Sequence, residues 1–141
     1  MAERKGSATW QGDLFEGSGT VSAVSSGLFD GAEVTWRART ETPDGKTSPE
    51  ELLAAAHAAC FCMALANELS TRGHEPSRLH AAATATFEEG KITTVVLEVD
   101  ADVPDTDEAG FQEALDAAEQ SCPVSNALRG SVEIRVNGGL S

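Results

Sequence analysis

Polar and apolar residues change period several times along this chain, and each change marks an element. Near the N-terminus, the short runs Ser7–Trp10 and Thr20–Val24 predict strands joined through glycine-bearing turns. From Glu33 to Thr40 the alternation is clean. Val34, Trp36 and Ala38 fall on one side and Thr35, Arg37 and Arg39 on the other, which predicts a strand with Arg39 on its polar face near the end. At Ser48 the period changes. Ser48 is a good N-cap, Pro49 suits the first helical position, and Glu51 completes a capping box. A helix is therefore expected from about Pro49 to about Thr71, stopping near Gly73. Its stretch from Leu52 to Leu65 has no formal charge and is apolar nearly all round. Such a helix belongs at the centre of a fold, covered on most faces, with its alanines admitting close neighbours.

Beyond that helix the alternation returns. Leu79–Glu88 and Lys91–Val103 read as two strands around the turn Glu89-Gly90, a hairpin. In the second of them Val95, Leu97 and Val99 share a face. Asp107–Gln120 is a second helix with Phe111, Leu115 and Ala118 on one side. Cys122–Leu128 opens a short third helix, and Ser131–Asn137 alternates as a last strand. The order reads as α+β: antiparallel strands wrapped with a long central apolar helix, in one domain over residues 1–141. Six short strands are little to cover a helix that is apolar on every side, which points to a dimer.

Composition narrows the classes. Ten Lys and Arg stand against 23 Asp and Glu, a net charge of -13, so no nucleic-acid or anionic-membrane partner is expected. No stretch resembles a signal peptide, and no run approaches the roughly 18 apolar residues of a membrane span. A chain of 141 residues buries a core without disulfides, and three cysteines are not a disulfide framework. The expected location is cytoplasmic, where thiols are kept reduced.

The candidate chemistry is in those cysteines. Cys60 sits in His57-Ala58-Ala59-Cys60-Phe61, an apolar setting in which a free thiol is most often an inert core group. A reactive Cys60 needs a nearby cation, for which Arg37, Arg39, Arg72, Arg78, Arg129 and Arg135 are candidates. Cys122 precedes Pro123 at a helix start, where it is either a plain capping residue or a thiol whose thiolate is favoured. Cys62 does not share a helix face with Cys60 and reads as a packed small residue. His57 and Cys60 do share one, but without any CxxC the spacing is a poor metal site. His57 as the base of a cysteine hydrolase lacks a marked orienting partner.

The string Ser48-Pro49-Glu50-Glu51-Leu52-Leu53-Ala54-Ala55-Ala56-His57-Ala58-Ala59-Cys60-Phe61, followed later by Cys122-Pro123-Val124-Ser125-Asn126, resembles the OsmC/Ohr family of bacterial peroxidases. The likeness runs over essentially the whole chain, including Trp10-Gln11-Gly12-Asp13 and Gly17-Ser18-Gly19-Thr20-Val21. The His57-Ala58-Ala59-Cys60 form and the position of Arg39 are closer to the OsmC branch. The resemblance implies an intertwined homodimer with active sites at the subunit interface. It implies a thiol peroxidase needing no metal, haem or flavin, and reducing small organic hydroperoxides at the expense of an external dithiol. Carried over, Cys60 is the peroxidatic cysteine, Cys122 the resolving one, and Arg39 with Glu50 the activating pair, joined by a bidentate bond. Two other classes stay open: a redox sensor signalling through the disulfide, and a non-enzymatic dimeric binding protein in which Cys60 is structural.

Overall fold

Three antiparallel strands in the order β1-β2-β3 form from the N-terminal alternation: β1 (Gly6–Gln11), β2 (Ser18–Ala23) and β3 (Ala32–Val34). Gly19 is required where it stands. A Cβ there would lie 2.6 Å from the Thr9 carbonyl oxygen and 2.7 Å from the Trp10 ring, so only glycine lets that indole lie across β2. The Trp10 N–H then donates to the carbonyls of Gly12 and Asp13 in the turn, each at 3.1 Å. The computed structural model describes all of residues 1–141, as two compact units, Met1–Leu52 and Leu53–Ser141.

The strand expected over 33–40 ends at Val34. Trp36–Thr40 is instead a short helix, α1, capped by Thr35, whose hydroxyl accepts the N–H of Ala38 at 3.0 Å. The physical reason is local. An N-cap threonine offers the backbone a bond that a strand would forgo, and alternation over so few residues also fits one helical turn. Arg39 therefore projects from a helix and not from a sheet.

The helix α2 (Pro49–Thr71) has the ends the sequence predicts. Ser48 Oγ accepts the N–H of Glu51 at 3.1 Å, one half of the capping box. The Glu51 carboxylate takes the hydroxyl of Thr47 at 2.7 Å instead of reaching back to the cap.

In the second unit, β4 (Arg78–Glu88) and β5 (Lys91–Asp102) form the expected hairpin, turned by Glu89 (φ 51) and Gly90 (φ 78), the pair of positive φ angles that a tight hairpin needs. The helices α3 (Glu108–Ser121) and α4 (Pro123–Leu128) then carry the chain to β6 (Glu133–Leu140), beside β5 in the order β4-β5-β6. This last pairing is parallel, a departure from the antiparallel expectation. A helical crossover returns the chain to the end of the sheet from which β5 began, which is how parallel neighbours arise.

Phe61, Leu65 and Leu69, at successive i,i+4 positions, form the buried stripe of α2 and enter one core with Val95, Leu97, Val99 and Ala101 of β5, and Phe111, Ala114, Leu115 and Ala118 of α3. Each large side chain contributes about 1.5–3 kcal/mol of burial. Cys122 is part of the same core. Ala55, Ala56, Ala59 and Met63 of α2 stay exposed, Met63 at 73%. The expectation that α2 is covered on most faces thus fails within one chain, because its contribution to the core is a single stripe. By length and composition alone α2 also reaches what a membrane crossing needs, more than the sequence suggested.

Candidate active site

Each unit holds one part of the candidate chemistry. In the first, α1 presents Arg39 and the opening turn of α2 presents Glu50. The Arg39 Nε–H is shared between the two carboxylate oxygens, at 2.7 and 3.2 Å. Both carboxylate oxygens are thus engaged by the one guanidinium nitrogen. Glu50 is only 6% exposed, so this ion pair is shielded from solvent in a way surface pairs are not. The guanidinium carbon stands 5.8 Å from the ring centre of Trp36, within cation–π range. Beside it opens a cavity of about 440 Å³ walled by Trp10, Leu14, Val21, Val34, Trp36 and Leu52. Arg39 is the charged residue in that wall. The arrangement suits a molecule with an apolar body and one polar end.

In the second unit, α2 carries Cys60 and the junction of α3 with α4 carries Cys122. Cys122 closes α3 and is the N-cap of α4. Its N–H donates to the carbonyl of Ala118 at 2.8 Å and its carbonyl accepts from Asn126 at 3.0 Å, while its side chain makes no cap bond. The side chain is fully buried and free, the half-buried Cys60 packs against the core that contains it, and the two thiols are close enough for one to shift the titration of the other. Burial pushes the Cys60 thiol above its ordinary value. The Val124 backbone bond to its sulfur pulls the other way, and the neighbouring Cys122 adds to the rise. Cys62, also free, is raised by burial, against a bond from the backbone at Ala81. Its partner is β4, which agrees with its reading as a packed residue.

Beside the thiols lies a contact the sequence reading missed. His57 Nε2 and Ser125 Oγ, both fully buried and 68 residues apart in sequence, are 2.7 Å apart. Burial holds the imidazole below its ordinary pKa, with Glu119 opposing the shift, and Nδ1 is buried without a partner. The neutral tautomer with hydrogen on Nε2 fits best, because an unpaired lone pair costs less than an unpaired N–H. One signal was available in the sequence: His57 precedes Cys60 by three positions, and Ser125 follows Cys122 by three. No group of three or more His, Cys, Asp or Glu side chains is arranged to hold a metal ion.

A model of the OsmC-like protein family matches residues 42–137, well over half the chain and inclusive of Glu50, Cys60 and Cys122. The chain belongs to the OsmC-like family. Peroxiredoxin OsmC of Escherichia coli (strain K12) is 36% identical to it over 135 residues, covering 93% of each. The organic hydroperoxide resistance protein OhrB of Bacillus subtilis (strain 168) is 32% identical over 117 residues, 78% of this chain and 82% of that protein. Among solved structures, an OsmC-like protein from Mycoplasma pneumoniae superposes with a TM-score of 0.75 at 19% identity, covering 99% of this chain and 97% of that one, a likeness of fold. The higher identity over a larger share of the chain sets it on the OsmC side of the family.

Proposed function

We propose that this OsmC-like chain is a cysteine-based, metal-independent peroxidase that reduces organic hydroperoxides to alcohols. The observation that carries the reading is the meeting of two free thiols, Cys60 and Cys122, from different helices. The names of its relatives, peroxiredoxin OsmC and organic hydroperoxide resistance protein, support the same chemistry.

In the proposed cycle the Cys60 thiolate attacks the distal peroxide oxygen. The O–O bond breaks, the alkoxide leaves and takes a proton, and Cys60 becomes a sulfenic acid. Cys122 then attacks the sulfenic sulfur. An S–S bond forms, the S–O bond breaks, and the departing hydroxide leaves as water with the Cys122 proton. An external dithiol reduces the disulfide by thiol exchange. Because burial disfavours the Cys60 thiolate, the first step needs a cation. We assign that role to Arg39, aimed by Glu50, with the apolar cavity beside it receiving the alkyl or aryl body of the substrate.

The working form is proposed as a homodimer. In residues 1–52 only Gly19, Ala38 and Glu50 are buried, and Phe15 and Leu28 are 69% and 82% exposed. A unit with so little core gains most of its stability from further cover. The uncovered alanine face of α2 gives a second copy a close-packing surface. Such chemistry fits a compartment that keeps thiols reduced, the cytoplasm.

The test is peptide mass mapping after one equivalent of cumene hydroperoxide, run on wild type, Cys60→Ser and Cys122→Ser. Wild type should yield a Cys60–Cys122 cross-link. Cys60→Ser should consume no peroxide, and Cys122→Ser should react once and then over-oxidise at Cys60. Persistent free thiols in wild type would overturn the reading and leave Cys60 a structural core residue. A cross-link without turnover in the presence of dithiol would make the protein a redox sensor.

A further inference from the structure

The peroxidase reading uses the thiols, Arg39 and Glu50, and leaves His57 and Ser125 without a task. Two fully buried polar side chains bonded across 68 residues are costly to bring together, and their place bears on the second step. On α2, His57 and Cys60 are i,i+3 neighbours on one face. On the other side Cys122 is the N-cap of α4, and Ser125 is three residues further along. The start of α4 therefore neighbours α2 at two places: the Cys60 and Cys122 thiols, and the hydrogen bond of the His57 imidazole with the Ser125 hydroxyl. Toward α3, α4 is held separately. Arg129 donates to the Glu119 carboxylate at 2.6 Å and to its carbonyl at 2.9 Å, and the Asn126 amide donates to the carbonyl of Gln120 at 3.0 Å. His57–Ser125 is thus the side-chain hydrogen bond that ties this six-residue helix to α2.

Resting on the peroxidase reading, we propose that His57 and Ser125 are a positioning pair for disulfide closure: their hydrogen bond holds the start of α4 against α2, so that the Cys122 sulfur meets the Cys60 sulfenic acid. The geometric demand is strict, because a disulfide closes only when the two Cα atoms stand about 4.4–6.8 Å apart. Attack on peroxide by Cys60 asks less of α4, whose part in that step is the Val124 backbone that favours the thiolate. The pair should therefore act chiefly on the second step.

Single-turnover kinetics with one equivalent of cumene hydroperoxide separate the two steps. Dimedone trapping reports the sulfenic acid, and non-reducing mass analysis reports the disulfide. In Ser125→Ala, sulfenic acid should form within about twofold of the wild-type rate, while disulfide closure slows about tenfold, the scale of one lost buried hydrogen bond. With excess peroxide, the fraction of Cys60 reaching sulfinic acid should rise. His57→Gln, whose amide N–H can still reach the serine, should close faster than His57→Leu. Closure at the wild-type rate in folded Ser125→Ala overturns the proposal, as does equal slowing of both steps. If Ser125→Ala does not fold, the two His57 variants carry the test, and equal closure rates in them overturn it. Absence of any sulfenic acid in wild type would instead overturn the peroxidase reading itself.

Discussion

Glu50→Gln is the sharpest probe of the activating pair, because it keeps the size and shape of the side chain and removes only its charge. In the wild type the Arg39 Nε–H is shared between both carboxylate oxygens, at 2.7 and 3.2 Å, inside a site where Glu50 is almost wholly buried. A hydrogen bond to a charged group contributes about 1.5–3 kcal/mol and a neutral one about 0.5–1.5 kcal/mol, so the substitution forfeits about 1–1.5 kcal/mol. At about 1.4 kcal/mol per tenfold in rate, a guanidinium held that much less firmly in its aimed position should slow sulfenic acid formation at Cys60 by about five- to tenfold. The same loss should lower the melting temperature by about 3–6 °C in a chain of this size. The assay pairs a thermal melt with the single-turnover rate, and adds the thiolate titration of Cys60 followed in the ultraviolet. Arg39→Ala is the reference: it should slow oxidation further and move the Cys60 titration upward. A lower melting temperature with an unchanged oxidation rate would refute the reasoning. Glu50 would then serve only the start of α2, where an acidic residue is stabilising in any case, and another cation would have to activate the thiol.

His57 predicts an acid sensitivity whose sign follows from its burial. Its folded pKa lies below the ordinary 6.5, so between those two values the unfolded chain binds the extra proton and stability falls as the pH is lowered. Urea midpoints taken between pH 7.5 and 5 should fall more steeply for wild type than for His57→Gln; parallel falls would show that the imidazole contributes nothing to the trend. Gly138→Ala tests the packing of β6 on α3. A new Cβ would stand 3.0 Å from the Leu115 Cδ1 and 3.1 Å from both the Val99 Cβ and its carbonyl oxygen, and backbone cannot yield as a flexible side chain does. A loss of about 1–3 kcal/mol is expected, seen as a lower urea midpoint at unchanged slope, and an unshifted midpoint would mean that the gap is not tight.

Legibility in the sequence followed how local the determining physics is. The ends of α2 were legible because Ser48 and Pro49 act within one turn. The hairpin was legible because Glu89-Gly90 supplies its own turn chemistry. Over Glu33–Thr40 the local signals conflicted, since the alternation spoke for a strand and Thr35 for a cap, and the cap prevailed. The parallel placement of β6 depends on how α3 and α4 return the chain, which no period within β6 reports. The same division holds at the candidate site. Cys60, Cys122, Arg39 and Glu50 were picked out by motif and resemblance; the fold sets Arg39 against Glu50 and Cys60 beside the core that holds Cys122. Ser125 went unassigned because its partner is 68 residues away, and a serine in a short helix carries no mark of the histidine it will meet.

The two steps of the proposed cycle ask opposite things of the environment of Cys60. Attack on peroxide asks for a thiolate, which burial opposes; survival of the sulfenic acid until Cys122 reaches it asks for the exclusion of water and further oxidant, which burial provides. A single site cannot relieve the first demand by exposure without failing the second. The guanidinium proposed for the half-buried thiol would satisfy both, because a fixed charge favours the thiolate without opening the sulfur further to solvent. On this argument the apolar cavity beside Arg39 has a purpose beyond holding an alkyl tail. Its apolar lining limits the water beside a guanidinium that the buried Glu50 carboxylate already fixes, so the charge there is screened less than on an open surface.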